Sequence, residues 1–169
     1  MKVITASTAG FCFGVKRAVD LAKQAAADNE HGVLTYGPLI HNASVIADLE
    51  KRNIRAVDPE DDAPSDSEEN TILIRAHGVG RETERQLKES YGKVVDATCP
   101  FVKKIHQIVA EESEKGWTII IIGSPNHPEV IGISGWTNGD YYVVENVSDA
   151  EKLPFFGDQR VCVVAQTTF

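Results

Sequence analysis

The chain has 169 residues, 42% hydrophobic and 25% charged, which is enough apolar material for a buried core in one domain or two small ones. Its formal charge is −8, but residues 58 to 70, DPEDDAPSDSEEN, carry seven acidic side chains and no basic one, so one solvated loop accounts for nearly all of the excess. No basic stripe stands out elsewhere, which speaks against nucleic acid and anionic membranes as partners and favours a small ligand. The start, MKVITASTAG, lacks the apolar stretch of a signal peptide, and the longest apolar run, 117 to 122 with Thr118 interrupting it, is too short for a bilayer. A cytoplasmic protein is expected. Cys12, Cys99 and Cys162 are odd in number and widely spaced, which suits free thiols in a reducing compartment better than a disulfide framework.

In chain order, the run VITA (3 to 6) reads as a first strand. After Gly14, residues Val15, Ala18, Val19 and Ala22 repeat at i, i+3, i+4 and i+7 and predict an amphipathic helix. VLTY (33 to 36), a helix over 42 to 52, and the strands IRAV (54 to 57) and TILIRA (71 to 76) follow. A helix over 81 to 90 leads to VVDA (94 to 97), and Pro100 opens another with Val102, Ile105, Ile108 and Val109 as its apolar stripe. TIIIIG (118 to 123), a helix beginning near Pro128, YYVV (141 to 144) and VCVVA (161 to 165) complete the pattern. Near-continuous apolar strands alternating with helices predict an α/β fold whose parallel sheet or sheets are covered on both faces.

One local plan recurs: an apolar strand, a Cys or His, then a helix start. It occurs at Cys12, His41, Cys99 and His127, and His77 sits similarly after TILIRA. Ligands of open α/β sheets bind beyond the carboxyl ends of the strands, so these five residues are candidates for a shared site. Cys99, before Pro100, falls at a helix N-terminus that favours thiolate, the form that attacks electrophiles or binds metal; a plain capping cysteine is the alternative. Cys12 lies between Gly10 and Gly14, which allow close approach to a bulky group, though a buried apolar thiol reads equally well. Cys162, among valines, is expected in the core. His41, His77 and His127 offer ring donors to an anion or act as caps. His31, in a polar turn, and His106, in a charge-rich helix, are expected outside the site. Glu129, in the first turn of a helix, suits the dipole there; crowded by other negative charge, it would take up a proton and could deliver it. Thr167 offers a hydroxyl, or turn chemistry, after the last strand.

The runs GFCFGVKRA, YGPLIHN, RAHGV, VVDATCPFVKK, GSPNHPEVIG and AQTT, in this order and spacing, closely resemble the 4-hydroxy-3-methylbut-2-enyl diphosphate reductase family over essentially the whole chain. The resemblance implies reductive removal of an allylic hydroxyl, giving isopentenyl and dimethylallyl diphosphate in the non-mevalonate isoprenoid pathway. It also implies three α/β lobes around a [4Fe-4S] cluster held by three cysteines. Here it assigns residues 1–96 to a first lobe and 97–169 to a second, incomplete one. The strand within 1–13 would pack with the third lobe, which is expected to be missing along with the third cluster cysteine. Carried over by motif, Cys12 and Cys99 match cluster ligands; His41, His77 and His127 match diphosphate and substrate contacts. Glu129 matches the proton relay, and Thr167 a substrate-contacting hydroxyl. Ferredoxin or flavodoxin would supply electrons, activity would be impaired, and the surface left by the third lobe could drive self-association. Two other readings stand beside it: a zinc hydrolase with Glu129 as base, although HExxH and CxxC are absent, and a non-catalytic module for a diphosphate or a partner.

Overall fold

The computed structural model describes residues 2–29, 32–58 and 69–169; His31 and most of the acidic loop lie outside the described residues. Six helices and seven strands are described: α1 (Phe13–Ala27), β1 (Val33–Tyr36), α2 (Ala43–Glu50), β2 (Ile54–Val57), β3 (Thr71–Ile74), α3 (Arg81–Ser90), β4 (Lys93–Asp96), α4 (Pro100–Glu114), β5 (Thr118–Ile122), α5 (Pro128–Ser134), β6 (Tyr141–Val144), α6 (Val147–Glu151) and β7 (Val161–Ala165). The strands form two parallel sheets, ordered β2-β1-β3-β4 and β6-β5-β7. The expectation of an α/β protein with parallel sheets therefore holds.

The central strands are those whose sequence is apolar on both faces. All four residues of β3 are buried, as are the first four of β5; helices pack on both faces of the first sheet, while in the second α4 and α5 cover the face of Ile119, Ile121 and Val164, and Val163 on the other face is 56% exposed. Ala18, Val19 and Ala22 of α1 pack with Val33, Ile54 and Leu73, while Ile119, Ile121, Val130, Ile133 and Val164 form the core of the second sheet. VITA is the exception. Residues 2–6 form no strand, and Val3 and Ile4 are 77% and 78% exposed. A strand needs a ladder partner for its N–H and C=O groups, and neither sheet provides one there. The five-residue α6 had no apolar stripe to announce it; the Asn146 side chain caps it by accepting the Asp149 N–H at 3.2 Å.

The halves meet where Gly80, before α3, crosses Gly135, after α5. The Arg81 N–H donates to Gly135 O at 3.2 Å, and Trp136 Nε1 donates to Val79 O at 2.9 Å. A β-carbon on Gly135 would lie 2.6 Å from Gly80 Cα, which is backbone and cannot swing aside. Gly135→Ala is therefore expected to cost roughly 1–3 kcal/mol in urea unfolding. Gly139→Ala, with nothing within 4 Å of the new methyl group, should stay within about 0.5 kcal/mol. His106 is also part of this seam. It is 4% exposed and stacked on Trp136 at 5.5 Å, and burial pushes its pKa down to about 4, so it is a neutral packing residue outside the histidine cluster.

Candidate functional site

Parallel pairing sends every strand of a sheet out at the same end, and the loops at those ends carry the expected residues. His41 follows β1 on a loop anchored by buried Leu39 and Ile40, and Asn42 then caps α2 by accepting the Val45 N–H at 3.1 Å. His77 follows β3. His127 caps α5, its Nδ1 accepting the Glu129 N–H at 3.1 Å. The three rings come together from both halves: His41–His77 centroids are 5.0 Å apart, His77–His127 5.3 Å and His41–His127 6.3 Å.

Burial chiefly, then the positive partners His41, Arg75 and His127, pushes the His77 pKa down to about 4. At neutral pH His77 is uncharged, and its buried Nδ1 has no partner among the described residues. The cap bond decides the state of His127: an Nδ1 that accepts a backbone N–H carries no proton, so in the neutral ring the proton is on Nε2. That nitrogen is a donor. One ring atom from each of the three histidines can be chosen within 4.8 Å of the others, a spacing open to a metal ion as well as to an anion. Metal binding through Nε2 of His127 would, however, move the proton to Nδ1 and break the cap bond, so the cluster is better suited to oxyanions.

Beside His127, Glu129 is 1% exposed. Its Oε1 accepts the Thr167 N–H at 2.6 Å and its Oε2 the Thr167 hydroxyl at 2.9 Å, tying α5 to the carboxyl end of β7. Gln166 locks the same loops together: its Oε1 accepts the Ser124 N–H at 3.1 Å and its Nε2 donates to Thr168 Oγ1 at 3.1 Å. Arg75, at the end of β3, escaped the sequence reading. A charged residue following the apolar run 72 to 74 was the available signal; burial lowers its pKa, and its buried Nε has no acceptor among the described residues.

Cys99 adjoins this cluster through the backbone. Cys99 caps α4, and its N–H donates to Ala76 O at 2.9 Å, next to His77. Cys12, exposed, caps α1. Neither sulfur is used as a cap acceptor, so both thiols sit at helix N-termini with their valence free. A β-carbon on Gly14 would stand 2.6 Å from Cys99 Sγ; only glycine allows the start of α1 to lie against that sulfur. Cys162 lies near the opposite end of β7, five residues before Thr167 and so about 16 Å along the strand. It is half-buried against the second core rather than enclosed, because β7 is an edge strand, and burial raises its thiol pKa.

Two parallel sheets with imidazoles, a buried carboxylate and two thiols at helix N-termini gathered beyond strand ends define an α/β protein whose polar cluster lies where ligands of such folds commonly bind. The family model described as LytB protein matches residues 3–169, and the chain belongs to that family. It is 44% identical over 168 residues to the 4-hydroxy-3-methylbut-2-enyl diphosphate reductase of Clostridioides difficile (strain 630), covering 99% of this chain and 59% of that protein. The reductase of Campylobacter concisus (strain 13826) is 41% identical over 169 residues, covering 99% and 58%. Among solved structures, the E-1-hydroxy-2-methyl-but-2-enyl-4-diphosphate reductase from Plasmodium falciparum superposes with a TM-score of 0.87 at 30% identity, covering 96% of this chain and 50% of that one. A structure of (E)-4-hydroxy-3-methyl-but-2-enyl diphosphate reductase, described as the terminal enzyme of the non-mevalonate pathway, gives 0.83 at 41% identity, covering 99% and 58%. The chain thus spans 58% to 59% of the length of these two curated relatives. No described helix is long and apolar enough to cross a membrane.

Proposed function

We propose that this chain supplies the diphosphate-binding and proton-handling part of a 4-hydroxy-3-methylbut-2-enyl diphosphate reductase. The observation that carries the reading is the convergence of His41, His77 and His127 beside the buried Glu129–Thr167 pair. The reaction adds two electrons and two protons, breaks the allylic C–O bond, and releases water with isopentenyl or dimethylallyl diphosphate. Ring N–H groups from the three histidines bind the diphosphate oxygens, with the Arg75 charge behind them. Thr167 Oγ1, held by Glu129 Oε2, faces two partners in turn: it donates to the carboxylate at rest and, once Glu129 is protonated, accepts from it and passes its own proton toward the leaving hydroxyl. Burial of Glu129 keeps bulk water from short-circuiting that transfer.

The donor set suits an iron–sulfur cluster at Cys12 and Cys99: soft thiolates, free of cap bonds, at helix N-termini, with Gly14 leaving the Cys99 sulfur clear. Cys162, at the far end of β7, does not suit as a third ligand. When bound, a [4Fe-4S] cluster would supply the electrons and a Lewis-acidic iron for the substrate hydroxyl. A ferredoxin or flavodoxin would be the upstream reductant. Anaerobic reconstitution with iron and sulfide, followed by metal analysis of the desalted protein, tests this half of the reading. A brown species lost in Cys12→Ser and in Cys99→Ser is expected; a colourless protein that retains zinc through its histidines would favour the hydrolase reading instead.

A further inference from the structure

Cys12 and Cys99 give a cluster two thiolates, whereas a [4Fe-4S] cluster closed by cysteine takes four. Cys162 does not make up the difference, because it lies toward the other end of β7. The two thiols share one patch of surface: a β-carbon on Gly14 would stand 2.6 Å from Cys99 Sγ, so the start of α1, with Cys12 just ahead of it, lies against that sulfur. We propose that two copies of this chain hold one cluster between them, each supplying Cys12 and Cys99. The proposal rests on the cluster half of the reading above and concerns the form without substrate, since four thiolates leave no iron open.

The surface beside the thiols suits a second copy. Phe11 and Phe13 flank Cys12, Phe101 lies two residues after Cys99, and the three are 47%, 64% and 69% exposed. The nearby cations are mostly engaged within the chain: Lys16 pairs with Asp20 at 2.7 Å, Lys103 pairs with Asp96, and Arg17 donates to the carbonyls of Thr98 at 3.1 Å and Asp96 at 3.2 Å. Like charges therefore weigh little against the approach of an identical patch, and exposed Lys104, early in α4, adds a positive charge that suits an anionic cluster. A two-fold axis through the cluster would set each patch against its own copy, an isologous contact. It would also place four helix N-termini, two from each copy, around the negative charge. Size decides what holds the pair. Three part-exposed phenylalanines offer roughly 300–400 Å² per copy, well under the ~800 Å² per partner of a stable interface. The rings alone make too small a contact, so bonds from thiolate to iron are what join the copies. The metal-free chain is expected to be single.

Size-exclusion chromatography with light scattering, run anaerobically alongside iron and sulfide analysis of the desalted protein, tests this. Metal-free protein should run as one chain of 18.5 kDa, and the reconstituted brown species at twice that mass with about two irons and two sulfides per chain. Phe101→Ala keeps both thiols, adds no charge and changes an exposed side chain, so the variant should fold. On dilution it should lose its colour at a chain concentration about tenfold higher than the unaltered protein does. Brown protein at the mass of one chain, whatever its iron content, or a pair that forms equally without iron, would overturn the proposal and leave the cluster reading standing. A Phe101→Ala variant that keeps its colour on dilution as well as the unaltered chain would overturn it too, by showing that these faces do not meet. Protein that takes up no iron would overturn both the proposal and the cluster reading.

Discussion

Glu129→Ala is expected to destabilise the protein by roughly 3–4 kcal/mol in urea unfolding, the largest effect of any single substitution in the site. The change empties a fully buried position and strips the Thr167 N–H of its 2.6 Å acceptor and the Thr167 hydroxyl of its 2.9 Å acceptor. Glu129→Gln should behave differently. Its amide oxygen can keep the Thr167 N–H, and its NH2 can donate to Thr167 Oγ1 once that hydroxyl turns around, so a cost of about 1 kcal/mol is expected. The Gln variant therefore separates architecture from proton handling. It should fold and bind diphosphate, yet be unable to pass a proton through Thr167. A Gln variant as unstable as the Ala variant would mean that charge, rather than hydrogen bonding, holds the α5–β7 junction.

Acidification is the second large effect. His106 has a pKa of about 4 when folded against an ordinary value of 6.5, because burial outweighs the carboxylates of Asp96 and Glu84 and Lys103 opposes them. Below pH 6.5 the unfolded chain therefore binds a proton that the folded chain refuses. The stabilising contribution is complete above the unfolded value and is lost as pH falls toward 4. Between pH 7 and pH 5 His106 alone should remove about 2 kcal/mol, and His77, depressed for similar reasons by burial and its cationic neighbours, adds loss of the same sign. Thermal or urea unfolding at the two pH values checks this. His106→Gln, whatever its own stability, should lose less between them than the unaltered chain; an unchanged pH dependence would show that His106 is already protonated in the fold or exposed.

Much of the architecture was legible because the central strands β3 and β5 are buried almost throughout. TILI and TIIII carry no polar interruption beyond their first threonine, so their central places could be read from composition. VITA has the same local signal and no strand, since pairing depends on what lies alongside and not on the run itself. His106 was hidden for a related reason. Its neighbours are charged, yet it falls four residues after Val102 and three before Val109, the spacing of the buried face of α4, and that periodicity could have revealed it. The site residues were placed by the strand-then-helix plan, and His41, His77 and His127 do come together. What no single run could tell is that they arrive from both halves, that the Glu129 N–H settles the tautomer of His127, or that Arg75 and His106 flank His77. The meeting of the three histidines and the approach of His106 are contacts between segments distant in sequence, while the His127 and Arg75 contacts depend on local geometry that a residue run does not reveal. The Cys162 reading needed the sheet order, which makes β7 an edge and leaves that thiol only half-buried.

The most direct test of the central claim is calorimetric titration of metal-free protein with pyrophosphate in the presence of a chelator, for the unaltered chain and for His41→Ala. His41 is exposed, so its removal leaves the core intact. The account predicts one bound pyrophosphate per chain and affinity at least about tenfold weaker in the variant, the loss of one hydrogen bond to a charged ligand. Pyrophosphate heats that are absent, or the same in both proteins, would contradict a diphosphate site at these three histidines.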